Sequence, residues 1–245
     1  MSYRQELETA KKAALAAGQI LIEQKNNLNK SIFSSNTDIK LEADIVAEKL
    51  IKEILIDETS FPILAEESGQ SSDQLSNIFW VVDPLDGTAN YSRNIPICCV
   101  SIALIKNMEP VLGVIYDFSN NDLYEGSVNT SAMQNGLEIK VSDISNQGEG
   151  ILITGLPNKT DYSDEALLKM VKDFQGWRKV RMIGSAAIGS VYIASGKADV
   201  YKESRTYLWD VAAGAAIVQA AGGTASISNQ NEDFQVDVYF SNSKI

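Results

Sequence analysis

The 245-residue chain contains no histidine. That excludes Ser-His-Asp and Cys-His nucleophilic arrangements and any zinc site built with histidine. Proton transfer is left to carboxylates, hydroxyls, lysine, tyrosine or water. Cysteine is almost as scarce: the only two, Cys98 and Cys99, are adjacent. They give no disulfide framework and agree with a reducing, cytoplasmic location. Both sit in the apolar run Ile97-Cys98-Cys99-Val100-Ser101-Ile102-Ala103-Leu104. Successive strand residues face opposite sides, so the pair reads as small fillers of a buried strand. No apolar run reaches the ~18 residues that a bilayer span needs. Met1-Ser2-Tyr3-Arg4-Gln5-Glu6 leads into an alanine-rich amphipathic helix and not into a signal-peptide core. Basic residues are outnumbered, 21 against 32 acids, a net charge of -11, and the lysines are scattered. This argues against a nucleic-acid duplex or an anionic membrane as main partner. A small anionic substrate stays compatible, because bound cations reverse the local field of an acidic pocket.

With 44% hydrophobic and 22% charged residues, the chain has the composition of a folded protein with a substantial core. Its length permits one large domain or two small ones. Leu7, Ala10, Ala14, Ala17 and Leu21 recur at helical spacing, predicting a helix over 2–26. Residues 26–38, rich in Asn and Ser, read as a loop or short hairpin able to lie over a site. Asp44 opens a second helix with Val46, Leu50 and Ile54 on one face and Glu48 in its first turns. Strands are expected at 61–65, 78–82, 97–106, 109–117 and 122–127, with Lys106-Asn107-Met108-Glu109 as a hairpin turn. Farther on, strands at 151–154, 178–183, 198–202 and 236–241 alternate with helices at 163–174, 185–196 and 208–221. That alternation suggests a layered α/β arrangement, with a boundary in the polar stretch 128–150.

Acids gather at the ends of these elements: Asp44, Glu66-Glu67, Asp83 with Asp86, and Asp210. Buried acids are expensive unless neutralised, and hard divalent cations such as Mg²⁺ prefer oxygen ligands. Asp83-Pro84-Leu85-Asp86-Gly87-Thr88 is the sharpest signal. Pro84 restricts its neighbourhood, and the turn can aim both carboxylates and the Leu85 carbonyl into one cavity. Free amides at a helix start near Gly87 would suit a phosphate, as would those of Gly184-Ser185-Ala186-Ala187. Taken singly, each feature has a plainer reading: a turn former, an N-cap at Ser185, a helix-dipole partner at Asp210, a solvent-facing acid at Glu203.

Together, Asp44, Glu66-Glu67-Ser68, Asp83-Pro84-Leu85-Asp86-Gly87-Thr88-Ala89-Asn90-Tyr91 and Trp209-Asp210 resemble the inositol monophosphatase family, in particular its suhB-like branch. The resemblance runs over about 2–243. It implies an α-β-α-β-α layered sandwich, with an antiparallel sheet and most metal ligands in 1–135. Residues 136–245 would then be an α/β region supplying Asp210 and substrate contacts. It implies a Mg²⁺-dependent phosphomonoesterase acting on inositol monophosphate or a similar polyol or sugar phosphate, with two or three ions. One ion would be held by Glu66, Asp83 and the Leu85 carbonyl, a second by Asp83, Asp86 and Asp210, and a weaker third by Glu66 and water. Thr88 and Asp44 match the pair that orients and deprotonates the attacking water. Gly87, Thr88, Ser185 and Ala186 match positions around the phosphate; Glu203 and Asp86 match the contacts to the alcohol hydroxyls. The resemblance also implies a homodimer.

The chain departs from the family pattern at Phe33, where a lysine is common, at Lys40, which is expected either to replace the lost charge or to face water, and at Arg205, where glycine is common. Arg205 is expected either to pair with Glu203 or to meet a second phosphate. Alternatives are a 3'(2'),5'-bisphosphate nucleotidase, disfavoured by Ala89-Asn90-Tyr91, and a fructose-1,6-bisphosphatase or histidinol-phosphatase. A non-catalytic regulatory binding protein is a reading of another class.

Overall fold

The computed structural model describes residues 3–35, 39–72, 75–156 and 160–245. The chain opens with α1 (Arg4–Glu23) and a short α2 (Lys25–Leu28). The hairpin β1 (Ser31–Ser34) and β2 (Ile39–Leu41) leads into α3 (Glu42–Glu58). The Asn/Ser-rich stretch 26–38 is thus partly helix and partly hairpin; its end, Asn36-Thr37-Asp38, and Ser2 of the expected first helix lie outside the described residues. Next come β3 (Ile63–Ala65), β4 (Gly69–Gln70), β5 (Ile78–Asp86) and a five-residue α4 (Thr88–Ser92). The strands β6 (Cys99–Lys106), β7 (Glu109–Asp117), β8 (Asp122–Ser127), β9 (Thr130–Gln134) and β10 (Leu137–Glu138) complete an eight-stranded sheet.

The sheet order is β10-β9-β8-β7-β6-β5-β3-β4. It is antiparallel except for β3 on β5, which run parallel because β4 occupies the other side of β3. Asn107 and Met108 both adopt positive φ in the expected turn between β6 and β7, the conformation of a tight two-residue hairpin loop. The strands β9 and β10 fall in the stretch read as a boundary. Their turn, Asn135-Gly136, has positive φ at both residues, and this Asn-Gly pair was the hairpin signal available in the sequence.

The remainder is β11 (Ile151–Thr154), α5 (Asp164–Phe174), β12 (Lys179–Met182), α6 (Ala186–Ala194), β13 (Val200–Tyr207), α7 (Leu208–Ala220), β14 (Thr224–Ser228) and β15 (Gln235–Ser241). Its five strands order as β12-β11-β13-β15-β14, with β11 parallel to both of its neighbours. The strand β14 carries alternating small residues that pair with β15; they have too little hydrophobic contrast to announce a strand.

Five layers result. The helices α1 and α3 pack together on one face of the large sheet, while α7, flanked by α6, covers the other. The small sheet backs α6 and α7, and α5 lies outermost, tied to β13 through Lys202 and Asp173 at 3.5 Å. Because helices cover both faces of β5 and β6, both strands read as continuous apolar runs. Trp80 and Val82 join the core under α1 and α3; Phe79 and Val81 join the core under α6 and α7. Cys98 and Cys99 divide between the same two cores, as their adjacent positions require.

The helix α7 approaches the large sheet at Gly113 of β7, where a Cβ would lie 2.1 Å from the Ala213 carbonyl oxygen. This backbone contact sets the depth at which the first turn of α7, with Asp210, meets the sheet. Gly113→Ala must therefore lift α7. Overpacking of this kind costs roughly 1–3 kcal/mol, a fall in melting temperature of roughly 2–10 °C for a chain of this size. An unchanged thermal unfolding curve would show that the contact is slack.

Candidate active site

Asp83 and Asp86 stand at the end of β5, three residues apart. In a regular strand such residues face opposite sides. Here Asp83 pairs with Ser101 and Asp86 with Cys99, so β5 spends one more residue than β6 over this interval. The extra residue is a bulge at Pro84-Leu85, and proline, which lacks an N–H, is tolerated where ladder pairing is already broken. The bulge returns both carboxylates to one side. The Leu85 N–H closes the turn by donating to Asp83 Oδ1 at 3.0 Å.

Two more acids meet them. Glu66 follows β3, and its N–H donates to the Val82 carbonyl at 3.1 Å, which carries β3 alongside the end of β5. Its charge acts directly on Asp83. Asp210 is the third residue of α7, and its Oδ2 accepts from Thr206 Oγ1 at 2.7 Å and from the Tyr207 N–H at 3.0 Å. Loss of water is the main cause that raises all four carboxyls. Mutual repulsion adds to it: Asp210 acts on Glu66, Glu66 acts on Asp83, and Asp86 acts on Asp210, which is pushed up to about 7. None of the leading influences on them comes from a lysine or arginine.

Such a set of hard oxygen donors, crowded and without a cation, fits a hard divalent ion. Glu66, Asp83, Asp86, Asp210 and the Leu85 carbonyl are the groups able to hold one. Among the described residues no three acids close around a single ion position. Glu66 and Asp83 face each other, Asp86 faces Ser185 and the start of α6, and Asp210 caps its own helix.

Asp44 and Thr88 adjoin this cluster. Asp44, the third residue of α3, is buried, and its Oδ2 accepts from the Leu41 N–H at 2.6 Å. Its Oδ1 lies 3.0 Å from Thr88 Oγ1, which is also 3.0 Å from the Leu85 carbonyl oxygen. Burial pushes Asp44 up to about 7, with Glu67 adding to the rise. Thr88 opens α4 after Gly87, whose φ of 89° is left-handed. A Cβ at Gly87 would stand 2.8 Å from the Ile97 carbonyl oxygen, so glycine is required there on both counts.

The donors expected around a phosphate at Ser185 and Ala186 are engaged with a protein group. Ser185 Oγ donates to Asp86 Oδ2 at 2.5 Å, the Ala187 N–H to the same oxygen at 2.8 Å, and the Ala186 N–H to Oδ1 at 3.3 Å. In this structure they position Asp86. Glu203 is half-buried, pushed up to about 7 by burial and by repulsion from Asp210 and Asp86. Its partner is the buried Tyr201, whose hydroxyl donates to Oε2 at 2.5 Å. The pairing of Glu203 with Arg205 is not formed. Arg205 sits at φ 60°, in a bulge where Glu203 pairs with Val238 and Thr206 with Val236. That left-handed residue explains why glycine is common at the position.

Lys40 lies directly across the hairpin from Phe33, and its Nζ donates to Glu67 Oε2 at 2.8 Å. The Glu67 N–H in turn donates to Glu48 Oε2 at 2.8 Å, which fixes the 66–68 turn against α3. Sequence reading named Glu67 only within the doublet Glu66-Glu67 and Glu48 only as a helix residue, and gave no bracing role to them or to Tyr201.

A bound divalent cation should stabilise the protein by relieving this repulsion. At about 100 times its dissociation constant, linkage gives about 2.7 kcal/mol, roughly 5–10 °C for a chain of this size. Asp83→Asn removes one buried charge, so without metal its melting temperature should equal or exceed that of the unsubstituted chain, while its gain from Mg²⁺ should shrink. Identical melting curves in chelator and in Mg²⁺ for the unsubstituted chain would mean that the cluster holds no cation.

Known proteins resemble this chain over most of its length. A sequence model of the inositol monophosphatase family matches residues 2–242. The Nus factor SuhB of Xylella fastidiosa is 39% identical, over 86% of this chain and 78% of its own length. A protein of Aquifex aeolicus named fructose-1,6-bisphosphatase/inositol-1-monophosphatase is 34% identical, over 90% of this chain and 85% of its own. The structure of an inositol monophosphatase from Anabaena superposes with a TM-score of 0.86 at 31% identity, covering 100% of this chain and 93% of that one. With its layered fold and a family match spanning almost every residue, the chain belongs to the inositol monophosphatase family.

Proposed function

We propose that this chain is a Mg²⁺-dependent phosphomonoesterase that hydrolyses a small polyol or sugar phosphate to alcohol and inorganic phosphate with water as nucleophile. The carrying observation is the juxtaposition of the Asp44–Thr88 pair with the four-acid cluster. Glu66, Asp83, Asp86, Asp210 and the Leu85 carbonyl would hold two or three Mg²⁺ ions. When bound, these ions neutralise phosphate charge and acidify a nearby water. Thr88 already donates to Asp44, so it can pass a proton to that carboxylate as its own oxygen accepts one from the water. Asp44, raised to about 7, sits in the range suited to a general base near neutrality. The Gly87 and Thr88 amides at the start of α4 are assigned to the phosphate. Asp86 and Glu203 are assigned to the hydroxyls of the leaving alcohol, as acceptors.

A regulatory, non-catalytic role is the second reading, favoured by the name Nus factor SuhB that several relatives carry. The intact acids at positions 44, 66, 83, 86 and 210 favour catalysis. The working unit is proposed to be a closed two-fold dimer, which a monomer mass in light scattering would refute.

Phosphate release from inositol 1-phosphate by purified protein tests the main reading. Turnover should require Mg²⁺, and Asp83→Asn should nearly abolish it at saturating Mg²⁺. Thr88→Ala should lower kcat about 10²–10⁴-fold, the range for loss of a proton-transfer group. Adenosine 3',5'-bisphosphate, fructose 1,6-bisphosphate and histidinol phosphate complete the panel. No release from any of them would leave the regulatory reading standing.

A further inference from the structure

A cavity of about 500 Å³ lies between α5 and the small sheet. We propose that it is a second subsite, which takes the remote part of a polyol phosphate larger than a single ring: a phosphorylated disaccharide or a glycosylated polyol phosphate. This inference rests on reading the acid cluster as a phosphatase centre.

The helix roofing the cavity is only loosely seated. Ser163 caps α5, which carries an apolar stripe, yet none of its 11 residues is buried. An apolar stripe normally holds a helix down by closing onto its sheet. Here Leu167, Met170 and Phe174 line an open space, faced across it by Tyr239 of β15. A volume of this size falls in the range of about 300–1,000 Å³ typical of small-molecule sites.

Glu203 connects the cavity to the acid cluster. It lines the cavity, and its carboxyl feels the charges of Asp86 and Asp210. Tyr201 holds it in place from the core. Gly155 lines the same space, and a Cβ there would lie 2.6 Å from Glu203 Oε1. Glu203 shares the inner face of β13 with Tyr201, opposite Lys202 beneath α5. A molecule whose phosphate meets the cluster and whose hydroxyls meet Glu203 therefore reaches the cavity around the end of β11, past Gly155.

The lining selects the class of ligand. It holds four carboxylates against three basic side chains, so it offers no net positive field for a second anion. Each of the three acids besides Glu203 has a protein donor: Asp161 from the Ser163 N–H, Asp173 from Lys202, Asp237 from the Arg205 N–H and Asn229. Carboxylates so placed keep lone pairs for further donors. Lys169 and the hydroxyls of Ser226 and Ser228 add donors beside the apolar surface of Phe174 and Tyr239. Acceptors, donors and an apolar wall together suit a hydroxylated ring, which presents O–H groups at its rim and C–H groups on its face.

The test compares trehalose 6-phosphate with glucose 6-phosphate, its one-ring counterpart, by phosphate release in Mg²⁺. We expect kcat/KM to favour the two-ring substrate by about tenfold or more. Ser226→Trp on the exposed strand β14, or Met170→Trp on α5, fills the cavity away from the acid cluster. Either should erase that advantage while leaving glucose 6-phosphate within about twofold. Equal turnover of the two substrates, or a parallel fall of both in the variants, overturns the proposal. So does a tenfold preference for fructose 1,6-bisphosphate over glucose 6-phosphate that Lys169→Glu removes, since the cavity would then be an anion site. If no substrate is hydrolysed, the catalytic reading has failed, and the subsite is judged by binding. Trehalose 6-phosphate should then raise the melting temperature of the unsubstituted protein but not of Ser226→Trp, and equal shifts refute it.

Discussion

Four carboxylates of like charge meet at the junction of the two sheets, and their mutual repulsion is the constraint on which the rest of the site depends. Asp83 and Asp86 are buried, Glu66 and Asp210 half-buried; loss of water pushes each upward, and neighbouring charge adds to the rise of Glu66, Asp83 and Asp210. Such a concentration is costly unless its charge is neutralised, as a bound cation would do. The surroundings hold the acids in place without neutralising them. Ser185 and the first amides of α6 grip Asp86, the start of α7 grips Asp210, and Lys40 is spent on Glu67 one residue beyond Glu66.

Two bulges do the aiming. In β5 the extra residue at Pro84-Leu85 brings Asp83 and Asp86 to one side; in β13 the left-handed Arg205 does the same for Glu203 and Thr206. Without the first, one acid of the pair would face the core beneath α1 and α3. Without the second, Glu203 and the Thr206 hydroxyl that bonds Asp210 could not both face the cluster. Each bulge uses a residue suited to irregular backbone, proline in one case and a position that favours glycine in the other.

Helix starts supply the remaining order. Asp44 and Asp210 each stand third in a helix and accept the N–H of the residue that precedes it, Leu41 and Tyr207. Capping and site membership are therefore compatible roles, since a carboxylate has two oxygens. For Asp44 the second oxygen faces Thr88. The close packing of α7 on Gly113 and of Gly214 on Ser190 keeps α6 and α7 at fixed depth between the sheets. Distant stretches of chain thus meet within hydrogen-bonding distance.

The sequence by itself determined the layered α/β class, most of the long helices and apolar strands, and the acids that would gather. Hydrophobic period and apolar run length are local properties, and a motif such as Asp83-Pro84-Leu85-Asp86-Gly87-Thr88 carries its own turn chemistry. Only the tertiary structure decided who partners whom. Tyr201 rather than Arg205 holds Glu203, the amides at Ala186 and Ala187 serve Asp86, and Glu48 and Glu67 brace the turn behind the cluster. The weak strand β14 likewise took its form from its neighbour β15. The reason is the same in each case: a hydrogen bond between residues as far apart as Ser185 and Asp86 depends on how layers stack, and no local pattern records that distance.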